Sequence, residues 1–455
     1  MLVVSSPFLV VLCLILWRTP FPLTEAVAIF EDVDNAEPLE LLVPDTSYYR
    51  PLYFLTTYAI WHSGGSLDAR LASIKLIQIV AVALLVVLLI WHLRPRGMLE
   101  AAAAAVAVAV LAGSPGLRDN LEIPLSYTTV GMPLALIVFM LLHRQPGVLH
   151  GPAIVALTLI AIGFKEQGLV IVPVVLAAWW MRAPGATRGT AAALAIIAVL
   201  YVAIRLAWRE AWPMFEQAVG FGFSIMEPPE AVARFGSFPY GLYAYSGMST
   251  VLNVLFAEPN RGIFRFVEAG INGQVDWWQF VQFGASAALT GIIAWWGIGS
   301  LRRAVRQGWS YEARVFVILI VALLACGVLS FNYSRSRLGG MAVVFYAIAA
   351  FHALRAAASR VAEAPGLRCA IGGLALMLLA AMWQSLTITT LEYARYTADL
   401  NQRQWLTMLP ARRREFAERP TYLRIMESMV EQGTGQNAAS RTRYPSSVAR
   451  VLGLP

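Results

Sequence analysis

Apolar residues run through this chain in long blocks separated by short polar breaks, and the blocks set its organisation. They predict helices near 2–17, 70–92, 98–113, 124–143, 151–164, 168–181, 189–208, 281–300, 313–331, 339–356 and 367–389. At about 1.5 Å per residue, a block of roughly 20 residues crosses a hydrocarbon core of roughly 30 Å. The stretch 151–181 is the exception, since its length of roughly 45 Å is too long for one upright helix and short for two. It carries the polar break Gly163-Phe164-Lys165-Glu166-Gln167-Gly168, and we read it as two short helices. The expected fold class is therefore all-α, a polytopic membrane protein of about eleven transmembrane helices with loops on the outer face.

The breaks alternate in charge. One set holds Arg94 and Arg96; Arg144; Arg182 and Arg188; Arg302, Arg303, Arg306 and Arg314; and Arg355, Arg360 and Arg368, the cytoplasmic bias of short loops. Counting a single helix at 151–181 would move Arg302, Arg303, Arg306, Arg355, Arg360 and Arg368 to the other side, which favours the split. The amino terminus is then cytoplasmic. The outer set comprises the acidic loop 18–69, the turns at 114–123, around Lys165 and at 332–338, the long segment 209–280 and the tail from about 390. Residues 1–389 read as one multi-spanning domain, with first outer loop 18–69 and long outer loop 209–280. Residues 390–455 read as a polar outer-face tail of short helices and a loose end. The first block lacks a basic leader and a small-residue cleavage site, so it reads as a retained helix.

Composition agrees. Of 455 residues, 58% are hydrophobic and 14% charged, with a mean hydropathy of +0.63, against roughly 25% charged residues in soluble domains. The net charge of +8 comes from arginines scattered among loops rather than from one basic stripe, so no nucleic-acid partner is expected. Lysine occurs only at 75 and 165, and the wealth of Ala and Arg suggests a GC-rich bacterial genome. That places the chain in a bacterial inner membrane, among membrane lipids. Cys13, Cys326 and Cys369 lie within apolar blocks without metal-ligand spacing and read as small core residues.

Candidate chemistry gathers on the outer side. The first loop holds Glu25, Glu31, Asp32, Asp34, Glu37, Glu40, Asp45 and Asp68 against Arg18 and Arg50. For most of these, charge sorting and solubility suffice. Glu31 and Asp32 differ, because they follow the apolar run 26–30 and precede Val33, so a carboxylate pair stands at an apolar boundary where desolvation raises basicity. Tyr48-Tyr49-Arg50-Pro51-Leu52-Tyr53-Phe54 then sets aromatics and a guanidinium before a helix opened by Pro51. Further turns carry Arg118, Asp119, Asn120 and Glu122; Lys165 and Glu166; and Arg335 and Arg337. Ionisable groups between membrane segments are functional-site candidates. Paired carboxylates with guanidinium groups suit transfer from a phosphate-linked lipid: a carboxylate takes the acceptor proton while an arginine holds the departing phosphate.

Four motifs resemble the C-type glycosyltransferases, and especially the polyprenyl- or dolichyl-phosphate-mannose-dependent O-mannosyltransferases. Phe30-Glu31-Asp32 resembles the acidic motif of that superfamily's first outer loop; Tyr49-Arg50-Pro51-Leu52 its YRPL segment; Phe164-Lys165-Glu166-Gln167-Gly168 its SKEQG-type turn; and Tyr333-Ser334-Arg335 its late ERY-like motif. The resemblance covers about residues 1–355. It implies a sugar donor on a polyprenyl phosphate, and an inverting single displacement on the outer face with Asp32 as base. It also implies donor-phosphate contacts from Arg50, Arg335, Arg337 and Lys165, and substrate contacts from Tyr49, Glu122 and Glu166. The acidic pair is Glu-Asp where Asp-Asp or Asp-Glu is usual, which leaves Glu31 as the other candidate base, and the late motif lacks its leading Glu. The resemblance admits a divalent cation, magnesium or manganese, near Glu122 without requiring one. The acceptor is a glycan, a lipid or a protein.

Two other classes share part of this pattern. A transporter or flippase of a lipid-linked saccharide also needs arginines and aromatics near headgroups, but tends to place polar residues at the midplane on broken, repeated helices. An acyltransferase would want an intramembrane His or Ser constellation, whereas His92, His143, His150 and His352 fall at cytoplasmic ends. Aromatics of the long segment, Phe215 to Trp278, suit either stacking on carbohydrate or lipid, or the core of a small loop domain.

Overall fold

The computed structural model describes residues 2–21, 23–42, 50–121, 128–207, 219–221, 224–226, 228–236, 240–256, 263–275, 277–331, 336–362 and 367–437. Each of the eleven apolar blocks forms a helix: α1 (Leu2–Arg18), α4 (Leu67–Leu93), α5 (Met98–Gly113), α7 (Thr128–Leu142), α8 (His150–Phe164), α9 (Ile171–Trp180), α10 (Arg188–Ala207), α14 (Trp277–Gln307), α15 (Tyr311–Leu329), α16 (Gly340–Ala362) and α17 (Leu367–Arg412). Between them lie α2 (Leu23–Asn35), α3 (Pro51–Trp61), α6 (Pro115–Leu121), α11 (Pro228–Phe235), α12 (Tyr240–Leu255) and α13 (Ile263–Ile271), and α18 (Pro420–Asn437) closes the order. Among the described residues, the departure from helix is a short antiparallel hairpin, β1 (Val219–Phe221) with β2 (Ser224–Met226), in register Val219↔Met226.

Length divides the eleven. Five helices are long and apolar enough to cross a membrane, and a sixth span results if α5 and α6, bent by 53° at Ser114, count as one. The other five apolar helices run from 10 residues in α9 to 20 in α10 and fall short of that length and hydropathy. The long ones carry their own punctuation. Ser66 caps α4 by accepting from Ala69 N–H (3.3 Å), and Ser310 caps α15 by accepting from Ala313 N–H (3.2 Å).

The main core centres on α5, whose alanines and valines are buried on all sides between α16 and α17. A helix apolar all round belongs inside, and small side chains let neighbouring backbones come close. Gly116 continues this crossing: a Cβ there would lie 2.9 Å from Val343 and 3.1 Å from the Gly340 nitrogen.

Two elements differ from expectation in the polar parts. The first loop is not irregular throughout, because Leu23, Ala26, Val27, Phe30 and Val33 form one stripe of α2 and are fully buried. Beyond 389, α17 continues to Arg412 instead of giving way to short helices; no Gly or Pro interrupts 374–409, and Arg395 pairs with Glu392 one turn away (2.7 Å). The chain then turns, and α18 packs against α2. Residues 438–455 lie outside the described residues.

The arginine-rich connections meet at one end of the bundle. Arg94 and Arg144 lie over the Trp91 ring, Arg355 pairs with Glu100 (2.8 Å), and Arg314 donates to the Arg182 carbonyl (3.3 Å). The acidic loop and the remaining polar turns meet at the other, about 40 Å away along the 27 residues of α4.

The turn between α8 and α9 depends on Gly168. A Cβ there would sit 2.4 Å from both the Ala161 carbonyl carbon and the Ile162 nitrogen, backbone atoms that cannot swing aside. Gly168→Ala is expected to destabilise the fold by about 3 kcal/mol. Gly147→Ala, where a Cβ meets nothing within 4 Å, should leave the thermal midpoint in detergent nearly unchanged.

Candidate functional site

The amphipathic stripe of α2 decides where its carboxylates go. With the stripe seated against α3 and α18, Glu31 falls at the margin of the apolar cluster, at 8% exposure, while Asp32, about 100° further around the helix, is exposed. The seat is aromatic. Phe30 stacks on Trp61 (centroids 4.6 Å, planes 12° apart), and Trp61 Nε1 donates to Asp34 Oδ1 (2.7 Å).

Glu31 does not stand uncompensated. Arg419, from the start of α18, donates through Nε to Oε1 (3.3 Å) and through Nη2 to Oε2, and Arg424 pairs with Asp34 (2.6 Å). Partial desolvation raises the proton affinity of Asp32, the charge of Glu31 raises it further, and Arg419 opposes both. The two carboxylates thus differ in kind: Glu31 is an ion-paired anchor, and Asp32 is an accessible carboxylate with enhanced basicity.

Arg50 immediately precedes α3, and its guanidinium grips Glu166 with two parallel bonds, Nε to Oε2 (2.7 Å) and Nη2 to Oε1 (2.6 Å). Such a fork-on-carboxylate pair is among the stronger polar contacts. It binds the first loop to the α8–α9 turn across 116 positions of sequence. Leu52 seals the same junction: a Cβ on Gly163 would lie 2.7 Å from its side chain. The residue expected to hold phosphate and the one expected to touch substrate therefore hold each other.

The remaining turns converge on one carbonyl. Asn120 Nδ2 donates to the Arg337 oxygen (3.1 Å), and Gln167 Nε2 reaches the same atom at 3.4 Å. Gln78 Nε2 in turn donates to the Asn120 carbonyl (2.9 Å). Lys165 and Arg118 are both buried beside this junction, at 8% and 4% exposure, and Arg118 pairs with Asp119 (3.1 Å). Tyr49, Glu122 and Arg335 lie outside the described residues. Among the described residues, no group of three or more His, Cys, Asp or Glu could hold a metal ion.

Sequence reasoning missed Arg419, Arg424, Trp61, Gln78 and the structural part of Gln167. A signal for α18 existed, since Tyr422, Ile425, Met426, Met429 and Val430 repeat at helical spacing and are all buried. Nothing in that pattern names α2 as the surface it covers.

Because Arg50 and Glu166 are each about four-fifths buried, removing either deprives a partly buried charge of its bidentate partner. Arg50→Glu is expected to cost about 3 kcal/mol, and Arg50→Glu with Glu166→Arg to recover most of it, read as thermal midpoints of the purified protein. No family model matches this chain, nor does any curated protein or solved structure, so its function is argued from its own residues.

Proposed function

We propose that the protein is a membrane glycosyltransferase that moves a sugar from a polyprenyl-phosphate-linked donor to an acceptor hydroxyl, with Asp32 as general base. The observation that supports this most is the division between two adjacent carboxylates, one neutralised by Arg419 and the other exposed with raised proton affinity. An accessible carboxylate with raised proton affinity suits a general base. In the proposed step the acceptor oxygen attacks the anomeric carbon as its proton passes to Asp32. The bond from that carbon to the phosphate oxygen breaks, its electron pair leaves on the phosphate, and the configuration inverts.

In this reading the five long helices, the bent α5–α6 pair and the five shorter apolar helices make eleven crossings. The amino terminus and the arginine-rich end are cytoplasmic, and the acidic end with α18 faces the periplasm of a bacterial inner membrane. Positive-inside sorting supports that orientation.

A second reading, transport of a lipid-linked saccharide, draws on one feature. Ser246, Thr250 and Asn253 on α12 and Gln282 and Ser286 on α14 are buried with side-chain atoms that have no hydrogen-bond partner among the described residues, and unpaired polar groups inside a membrane bundle suit a path for a polar cargo.

Incubating the purified protein with a panel of radiolabelled polyprenyl-phosphate sugars and envelope extract separates the two. The glycosyltransferase reading expects label in the acceptor, reduced by about 10²–10⁴-fold in Asp32→Asn. Full turnover in that variant would remove Asp32 from the mechanism, and binding without transfer from any donor would favour the transporter. The base must be deprotonated to work, so the rate should fall as pH drops through the Asp32 pKa, an acid limb lying above the ordinary value of about 3.9. Arg419 lowers that pKa, so Arg419→Ala should move the limb to still higher pH.

A further inference from the structure

Arg419 is held in a way that leaves it half used. Its backbone is fixed twice: its N–H donates to Phe416 O (3.0 Å), and its carbonyl accepts from Leu423 N–H (3.0 Å) as α18 begins. The guanidinium lies over the Tyr422 ring, 4.4 Å from the centroid, and one edge, Nε with Nη2, faces Glu31. The other edge, at Nη1, meets no acceptor among the described residues, and the side chain is 50% exposed. A guanidinium carries five N–H donors in a rigid fork, so a carboxylate on one edge and an aromatic face beneath fix its direction without using it up. The start of α18 adds the positive end of a helix dipole at the same residue.

The other candidates for an anion are differently placed. Arg50 is occupied by Glu166 on both nitrogens of its working edge, and Arg118 is buried against Asp119. We propose that Arg419, supplied by the carboxy-terminal helix, binds the phosphate of the lipid-linked donor, its open edge taking the phosphate while Glu31 and Tyr422 hold the rest of the side chain. This rests on the glycosyltransferase reading. The charge balance of the step favours it. As the acceptor proton reaches Asp32, one negative charge disappears from the carboxylate and one appears on the departing phosphate, so a cation beside both keeps its compensation throughout.

The test is binding of a synthetic polyprenyl monophosphate, the lipid product of transfer, to the full-length protein by native mass spectrometry, alongside unphosphorylated polyprenol and inorganic phosphate. Arg419→Ala is expected to weaken polyprenyl phosphate at least tenfold and leave polyprenol unchanged. Arg419→Lys should retain part of the affinity as a point charge. Arg424→Ala, which removes the neighbouring ion pair of the same helix, should stay within threefold of the wild type. Equal losses in Arg419→Ala and Arg424→Ala would mean that only the docking of α18 matters, and would overturn the assignment. Inorganic phosphate competing at the same concentration as the lipid would make this a site for free phosphate and overturn it too. Asp32-dependent transfer with unchanged lipid affinity in Arg419→Ala would remove Arg419 and keep the glycosyltransferase reading. Arg419-dependent binding without transfer from any donor would do the reverse.

Discussion

The ion pair between Glu31 and Arg419, with the apolar seat beneath it, is the constraint on which the acidic end depends. A 13-residue amphipathic helix cannot stand alone in water, and α2 has an apolar stripe on one side and three carboxylates near its end. Its stripe needs cover, and its buried carboxylate, Glu31, needs a cation. The carboxy-terminal helix supplies both, with Tyr422, Ile425, Met426 and Met429 against the stripe and Arg419 and Arg424 against the acids. Segments nearly 390 positions apart thereby become one unit.

The two ends of the bundle use their charges differently. At the arginine-rich end, guanidinium groups rest on Trp91, on a carbonyl or on Glu100, contacts that anchor loops and close helix ends. At the acidic end the charges draw separate segments of chain together: α2 to α18, and the start of α3 to the α8–α9 turn. There an exposed carboxylate, Asp32, stands beside a guanidinium with an open edge. That asymmetry, more than the number of charges, is why the chemistry is assigned to that end.

Much of the frame was legible in the sequence because a bilayer imposes a strong code. The apolar blocks gave all eleven helices, and the break at 163–168 gave the short pair, since Lys165 and Glu166 cannot sit in an unbroken apolar helix without cost. Gly168 was legible as a motif residue, but its reason, the backbone of residues 161 and 162 at 2.4 Å from a Cβ, was not. The helix α2 was missed because its charges drew attention away from the spacing of Leu23, Ala26, Val27 and Phe30. The partners of Glu31 and Arg50 were beyond reach for a different reason. Pairing across 388 and 116 positions is set by tertiary packing, and no local period encodes it.

The claim that the carboxy-terminal helix completes the acidic site is tested most directly by a cross-link. Asp34 and Arg424 meet at 2.6 Å through the tips of their side chains, so Asp34→Cys with Arg424→Cys should be joined intramolecularly by a short bifunctional maleimide, and prior treatment with a monofunctional maleimide should block the link. Two thiols that both react with maleimide yet never cross-link would contradict the account.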